Sequence, residues 1–143
     1  MSQELAKRII DEMYNNDPMS KWLGIERLHE APGECVLRMK IREEMLNGFG
    51  IAHGGICFSL ADSALAFASN AHGHKAVSLE TSISHLKPVR LNDWLTATTK
   101  EISLTARTGL YEVRILNQGD ELIAFFKGTI YRSGKVWFEA DVS

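Results

Sequence analysis

Between Glu44 and Lys75 the chain carries a single member of the Asp/Glu/Lys/Arg set, Asp62. It lies inside a run of small apolar residues from Ile56 to Asn70, directly after His53-Gly54-Gly55. Ala, Leu and Phe dominate the run and favour helix, while the Gly pair disfavours continuation upstream and marks the start. Asn70 and Gly73 mark the end. A carboxylate in such a stretch is costly to bury unless it is paired or put to use. The pattern predicts a buried helix over 54–71 with an open N-terminus and one acid two turns in.

What surrounds that helix is predicted to be sheet. Leu37, Met39 and Ile41 alternate with Arg38, Lys40 and Arg42, a period of two that gives a strand with one wet face. Residues 44–50 form a loop that feeds the helix. Four β-rich runs follow it, near 76–87, 93–106, 109–117 and 121–132. Thr108-Gly109 and Asn117-Gln118-Gly119-Asp120 are short enough for hairpins, so these strands read as antiparallel. Upstream, Leu5, Ile9 and Met13 mark an amphipathic helix over 3–15, ended by Asn15-Asn16-Asp17-Pro18. The architecture is α+β, with a curved antiparallel sheet wrapping the central helix. A plain sandwich with the helix on one face fits the same periodicity.

The 143 residues form one domain, with its core over about 33–132 and a tail over 133–143. With 45% hydrophobic and 24% charged residues, the composition is that of a soluble globular chain. A formal net charge of −2 with mixed signs offers nothing to nucleic acid or to an anionic membrane. The 54–71 run is broken at its centre by Asp62, which argues against membrane insertion. The N-terminus mixes acids and bases and lacks the apolar stretch of a secretion signal. Cys35 and Cys57 have no metal-like spacing and read as free buried thiols in a reducing cytoplasm. No phosphate loop, dinucleotide fingerprint, nucleophile elbow or Cys/His cluster is present, so no intrinsic metal or cofactor is expected.

The chemistry then rests on a few residues. The first N–H groups of a helix have no intrahelical acceptor and lie at the positive end of its dipole, so Gly54 and Gly55 offer donors to a polarised carbonyl. A glycine pair that only relieves a turn is the plain alternative. Asp62 suits a general base toward water or a nucleophile toward an acyl carbon; as a structural carboxylate it would pair with the sheet. Gly54 and Asp62 are eight positions apart, about 12 Å along one helix. Both reach one carbonyl only if two copies of the helix pack antiparallel, which calls for at least a dimer with shared sites. Asn47 presents an amide in an Asn-Gly turn, and Ser78 carries a hydroxyl on the next strand; His53, beside Gly55 at the substrate end, is either a base or, the preferred reading, the residue that fixes its loop through a side-chain hydrogen bond. His72 and His74 read as surface residues, and His85 as a strand histidine without a partner.

Taken together, Asn47-Gly-Phe-Gly-Ile-Ala-His53-Gly54-Gly55, then Phe58-Ser-Leu-Ala-Asp62, then a strand ending Leu86-Lys87-Pro88, resembles the hotdog-fold thioesterase superfamily. More narrowly it is similar to the phenylacetate-degradation (PaaI-type) group, over about residues 35–132. The resemblance implies a hotdog fold, dimers with a continuous sheet and assembly into a homotetramer. It also implies metal-free hydrolysis of an acyl-CoA thioester, coenzyme A entering only as part of the substrate. It assigns Asp62 as the catalytic carboxylate, Gly54 as the donor to the thioester carbonyl and Asn47 as the amide near that carbonyl and the leaving thiolate. Ser78 falls where some relatives place a water-positioning hydroxyl. The CoA phosphates need cations, and Lys87, Arg90 and Arg107 sit at strand ends or turns where they would serve. The expected substrate is phenylacetyl-CoA or a ring-hydroxylated relative. A medium-chain acyl-CoA, or a non-catalytic acyl-CoA binding module on the same fold, are the alternatives; the His-plus-acid pattern of a hydratase is not evident. The tail 133–143 is left as an added strand or a cover for the acyl pocket.

Overall fold

The structure is a computed structural model that describes residues 2–139. The chain opens with two helices, α1 (Ser2–Asn15) and α2 (Pro18–Leu23), followed by strands β1 (Glu26–Ala31) and β2 (Glu34–Lys40). A short 3-10 turn over Glu43–Met45 leads to the long helix α3 (Gly54–Asn70). Strands β3 (His74–His85), β4 (Trp94–Leu104), β5 (Thr108–Leu116) and β6 (Leu122–Val136) complete the chain. All strands pair antiparallel in one sheet of order β1-β2-β4-β5-β6-β3.

The helix α3 explains the sheet. Its buried positions Ile56, Cys57, Leu60, Ala61, Ala64, Leu65, Phe67 and Ala68 recur in pairs every three to four residues, the spacing that keeps one broad face inward. That face meets β2 through β6, while α1 and α2 pack against the helix from outside the sheet. From β2, Cys35, Leu37 and Met39, and Ile41 just after it, all lie in the same core and are fully buried. The curved sheet therefore wraps the helix, as its apolar circumference requires. Close approach is set by Gly128 on β6: a Cβ there would lie 2.7 Å from Leu65 Cδ2.

Two elements are additional to those expected from the sequence. Asp17 caps α2 by accepting the Ser20 N–H at 3.0 Å. Pro18 opens that helix, and Gly24 closes it in the left-handed region at φ 73°. β1 is a polar edge strand, Glu-Arg-Leu-His-Glu-Ala, whose exposure erases the alternation that reveals inner strands. Among the described residues the tail adds no separate strand; instead β6 runs on to Val136. Trp137 then bonds back to the α3 end, its N–H to the Gly73 carbonyl at 2.9 Å and its Nε1–H to Asn70 Oδ1 at 3.0 Å. The remainder of the tail, 140–143, lies outside the described residues.

Candidate active site

His53 caps α3. Its ring Nδ1 accepts the Gly55 N–H at 3.1 Å and its carbonyl accepts the Ile56 N–H at 2.9 Å. The expected loop-fixing role of His53 is thus what the structure shows, and the Nδ1 lone pair is committed to it. The consequence is selective. Of the first three N–H groups of the helix, only that of Gly54 has no acceptor among the described residues. It points from a positive helix terminus into a cleft of about 440 Å³.

Asn47, Cys57, His85 and Lys87 also line that cleft. Asn47 serves two ends at once. Its side-chain oxygen accepts the Phe49 N–H at 2.9 Å and the Ile51 N–H at 3.4 Å, holding the loop, and this fixes which way the amide faces. The NH₂ group has no acceptor among the described residues. Lys87 is at the rim, paired with Glu121 at 2.6 Å.

Asp62 lies elsewhere. It lines a separate pocket of about 240 Å³ with Ala66, Ser69, Ala76, Ser78 and Ile130. Ser78 pairs with Ile130 across β3 and β6, which turns its hydroxyl toward the same pocket as the carboxylate. Asp62 makes no hydrogen bond or ion pair among the described residues. Burial pushes its carboxyl above the ordinary range, and the negative charge of Asp17 pushes the same way. A carboxylate whose affinity for a proton is raised by its surroundings, and which is left unpaired, suits a base or a nucleophile.

The cationic residues divide. Arg90 is exposed beside the cleft, one residue beyond the Val89 that lines it. Arg107 is remote from it. Ile123 and Ala124, the β6 residues level with His85, mark the cleft end of the sheet, whereas the Arg107 carbonyl accepts the Arg132 N–H at the other. Eight residues of strand separate Ala124 from Arg132, about 26 Å. One chain does not bring Arg107 to the Gly54 cleft. His72 is not the surface residue expected: it is half-buried, with Nε2 at 2.5 Å from Glu101 Oε2, which also accepts the Tyr111 hydroxyl at 2.8 Å.

Sequence reasoning missed two contributors. His85 has no hydrogen-bond partner among the described residues, as expected, but its place at the site is not visible in the sequence: a Cβ built on Gly54 would lie 3.0 Å from His85 Nε2. Asp17 was read only as part of a helix stop. An Asp-Pro pair with Gly24 seven residues on is a capped short helix, and that signal was available.

An open backbone donor at a helix N-terminus and an unpaired acid two turns later are the parts that thioester hydrolysis needs. The profile of the thioesterase superfamily matches residues 49–124, which include both. The chain belongs to that superfamily. Within it, the chain is 40% identical over 122 residues to the acyl-coenzyme A thioesterase PaaI of Escherichia coli, covering 85% of this chain and 87% of the relative. An Archaeoglobus fulgidus protein described as a putative esterase is 39% identical over 90% of this chain and 84% of its own length. The solved E. coli PaaI structure superposes with a TM-score of 0.92 at 37% identity, covering 95% of this chain and 99% of that one. A Streptococcus mutans structure with acetyl-CoA bound superposes with a TM-score of 0.76 at 28% identity, covering 78% and 90%. The hotdog fold and the thioesterase class are therefore both those expected from the sequence. This thioesterase has no helix, among the described residues, long and apolar enough to cross a membrane.

Proposed function

We propose that the protein hydrolyses acyl-CoA thioesters, with arylacetyl-CoA esters as the substrate class, at sites shared between two chains. One observation carries the reading: the free Gly54 N–H and the unpaired Asp62 lie on one helix but open into different pockets. Neither pocket alone holds both a carbonyl donor and a base. Two chains related by a two-fold axis, with their α3 helices antiparallel, place the Gly54 cleft of one against the partner's Asp62.

The sheet supports that pairing. β3 is an edge strand twelve residues long, and it exposes Val77 at 65% and Leu79 at 62%. A long apolar edge is a template for another strand, and β3 joined to the β3 of a second copy would continue the sheet across a dimer. Assembly of two dimers into a tetramer follows from the family resemblance.

In the proposed reaction the thioester carbonyl docks on the Gly54 N–H, with the Asn47 NH₂ beside it. The partner's Asp62 takes a proton from a water that attacks the carbonyl carbon, or attacks that carbon itself to form an acyl–Asp62 anhydride that water then hydrolyses, and the partner's Ser78 hydroxyl holds the water. In either course the C–S bond breaks with its electron pair on sulfur, releasing CoA. Lys87 and Arg90 stand at the mouth of the cleft for the CoA phosphates. The partner's Arg107 is the third cation the resemblance suggests.

The test is thiol release from phenylacetyl-CoA, a ring-hydroxylated analogue and linear acyl-CoAs by wild type and Asp62→Asn. Turnover by wild type, falling on the order of 10²–10⁴-fold in the folded variant, is the expected result. A preference for linear C8–C12 chains would replace the aryl assignment by the medium-chain one. Tight binding of the ester without thiol release would make the protein a binding module.

A further inference from the structure

His85 occupies an unusual place. It is the last residue of β3, held level with Ala124 of β6, and the next two N–H groups, of Leu86 and Lys87, both donate to the Ile123 carbonyl. The strand end is thereby pinned, and the imidazole hangs over the start of α3. The Cβ position of Gly54 would lie 3.0 Å from Nε2, 3.3 Å from Cε1 and 3.7 Å from Cδ2. The ring thus meets Gly54 with its Nε2–Cε1 edge. Neither ring nitrogen has a hydrogen-bond or ion-pair partner among the described residues, although the histidines at 29, 53, 72 and 74 each have one.

We propose that His85 is a further catalytic residue: its Nε2–H is an added donor to the thioester oxygen, beside the Gly54 N–H and the Asn47 NH₂. The proposal rests on the thioesterase reading above. The Gly54 N–H and the Asn47 NH₂ leave one side of the carbonyl oxygen open, and an added converging donor stabilises an oxyanion strongly. Of the other polar side chains in the cleft, Lys87 is drawn to Glu121, while Asn47, anchored to the loop by its oxygen, presents its NH₂ beside the carbonyl. His85 is the ring donor left facing the carbonyl site. When the carbonyl carbon is attacked, the C=O π pair moves onto oxygen and is held by these donors. The pair returns as the C–S bond breaks and its electrons go to sulfur. His85 keeps its proton throughout, so its contribution is electrostatic and falls on kcat rather than KM. The same contact explains why position 54 is glycine: a methyl group would press against the imidazole.

Two variants and one spectrum test this. His85→Phe keeps a planar ring and removes the donor; His85→Gln restores an N–H at similar reach. Expected with phenylacetyl-CoA are a loss in kcat on the order of 10²-fold for His85→Phe, little change in KM, and recovery of most of the loss in His85→Gln. In parallel, the carbonyl stretch of ¹³C-labelled phenylacetyl-CoA bound to Asp62→Asn should move to higher frequency in Asp62→Asn/His85→Phe. A kcat for His85→Phe within about twofold of wild type, equal losses in both variants, or an unmoved stretch would overturn the proposal. Wild type that releases no thiol from any acyl-CoA would instead sink the thioesterase reading itself, and this role with it.

Discussion

At the scale of single residues, the site turns on how neighbours leave two groups unsatisfied. His53 takes the Gly55 and Ile56 N–H groups and spares that of Gly54. Around Asp62, burial and the Asp17 charge raise the carboxyl pKa while no donor stabilises the anion. Asp17 is held in place by the buried Ser20, whose hydroxyl lies 2.6 Å from Asp17 Oδ2 and 2.8 Å from Ser63 Oγ, next in sequence to Asp62. A pH prediction follows with a definite sign. In the proposed reaction the ionised Asp62 is the active form, so kcat/KM should fall as pH drops through its raised pKa. Asp17→Asn keeps the helix cap but removes the charge, which lowers that pKa. The acid limb of the kcat/KM profile should therefore shift to lower pH, with the plateau little changed. A limb that stays put or moves upward contradicts the assignment. Asp62 and Gly54 were legible in the sequence because a lone acid in an apolar run and a glycine pair at a helix start are local signals. Asp17 and His85 were not, because their proximity to the site is made by chain segments dozens of residues away.

At the scale of elements, the close seat of α3 on the sheet positions both ends of the site. Gly128 lets β6 approach Leu65, and Phe126 Cε1 and Thr81 Cγ2 stand 3.3 Å from the same missing Cβ. Gly128→Ala has no space to relax into, since Leu65 and Phe126 are buried. It should lower stability by about 1–3 kcal/mol, measured as a drop in the urea midpoint with unchanged slope, whereas Gly134→Ala, in open space, should be close to neutral. Equal behaviour of the two would remove this account of the helix seat. The long elements were readable because periodicity needs length: α3, β2 and the four later strands each offer several repeats. The six-residue α2 and the polar edge strand β1 are too short or too exposed for that signal. Their caps and turns carry the information instead.

At the scale of the whole molecule, the proposed reaction makes one chain half of a site. The roughly 12 Å between Gly54 and Asp62 on a single helix agrees with the two separate pockets observed, and the open apolar edge of β3 is where a second copy would join. The expectation of a dimer comes from spacing plus helix geometry rather than from any one residue. The most direct measurement co-expresses two individually inactive chains, Asp62→Asn and Gly54→Pro. Proline is suited to the first helical position and deletes only the N–H there, and Gly54→Ala, which keeps the N–H, controls for the added bulk against His85. Randomly mixed dimers would contain an intact site in half of their molecules, one site of two, so thiol release should recover to about a quarter of wild type if sites are shared. No recovery from mixed dimers that are shown to form would place Gly54 and Asp62 in separate roles and contradict the shared-site account.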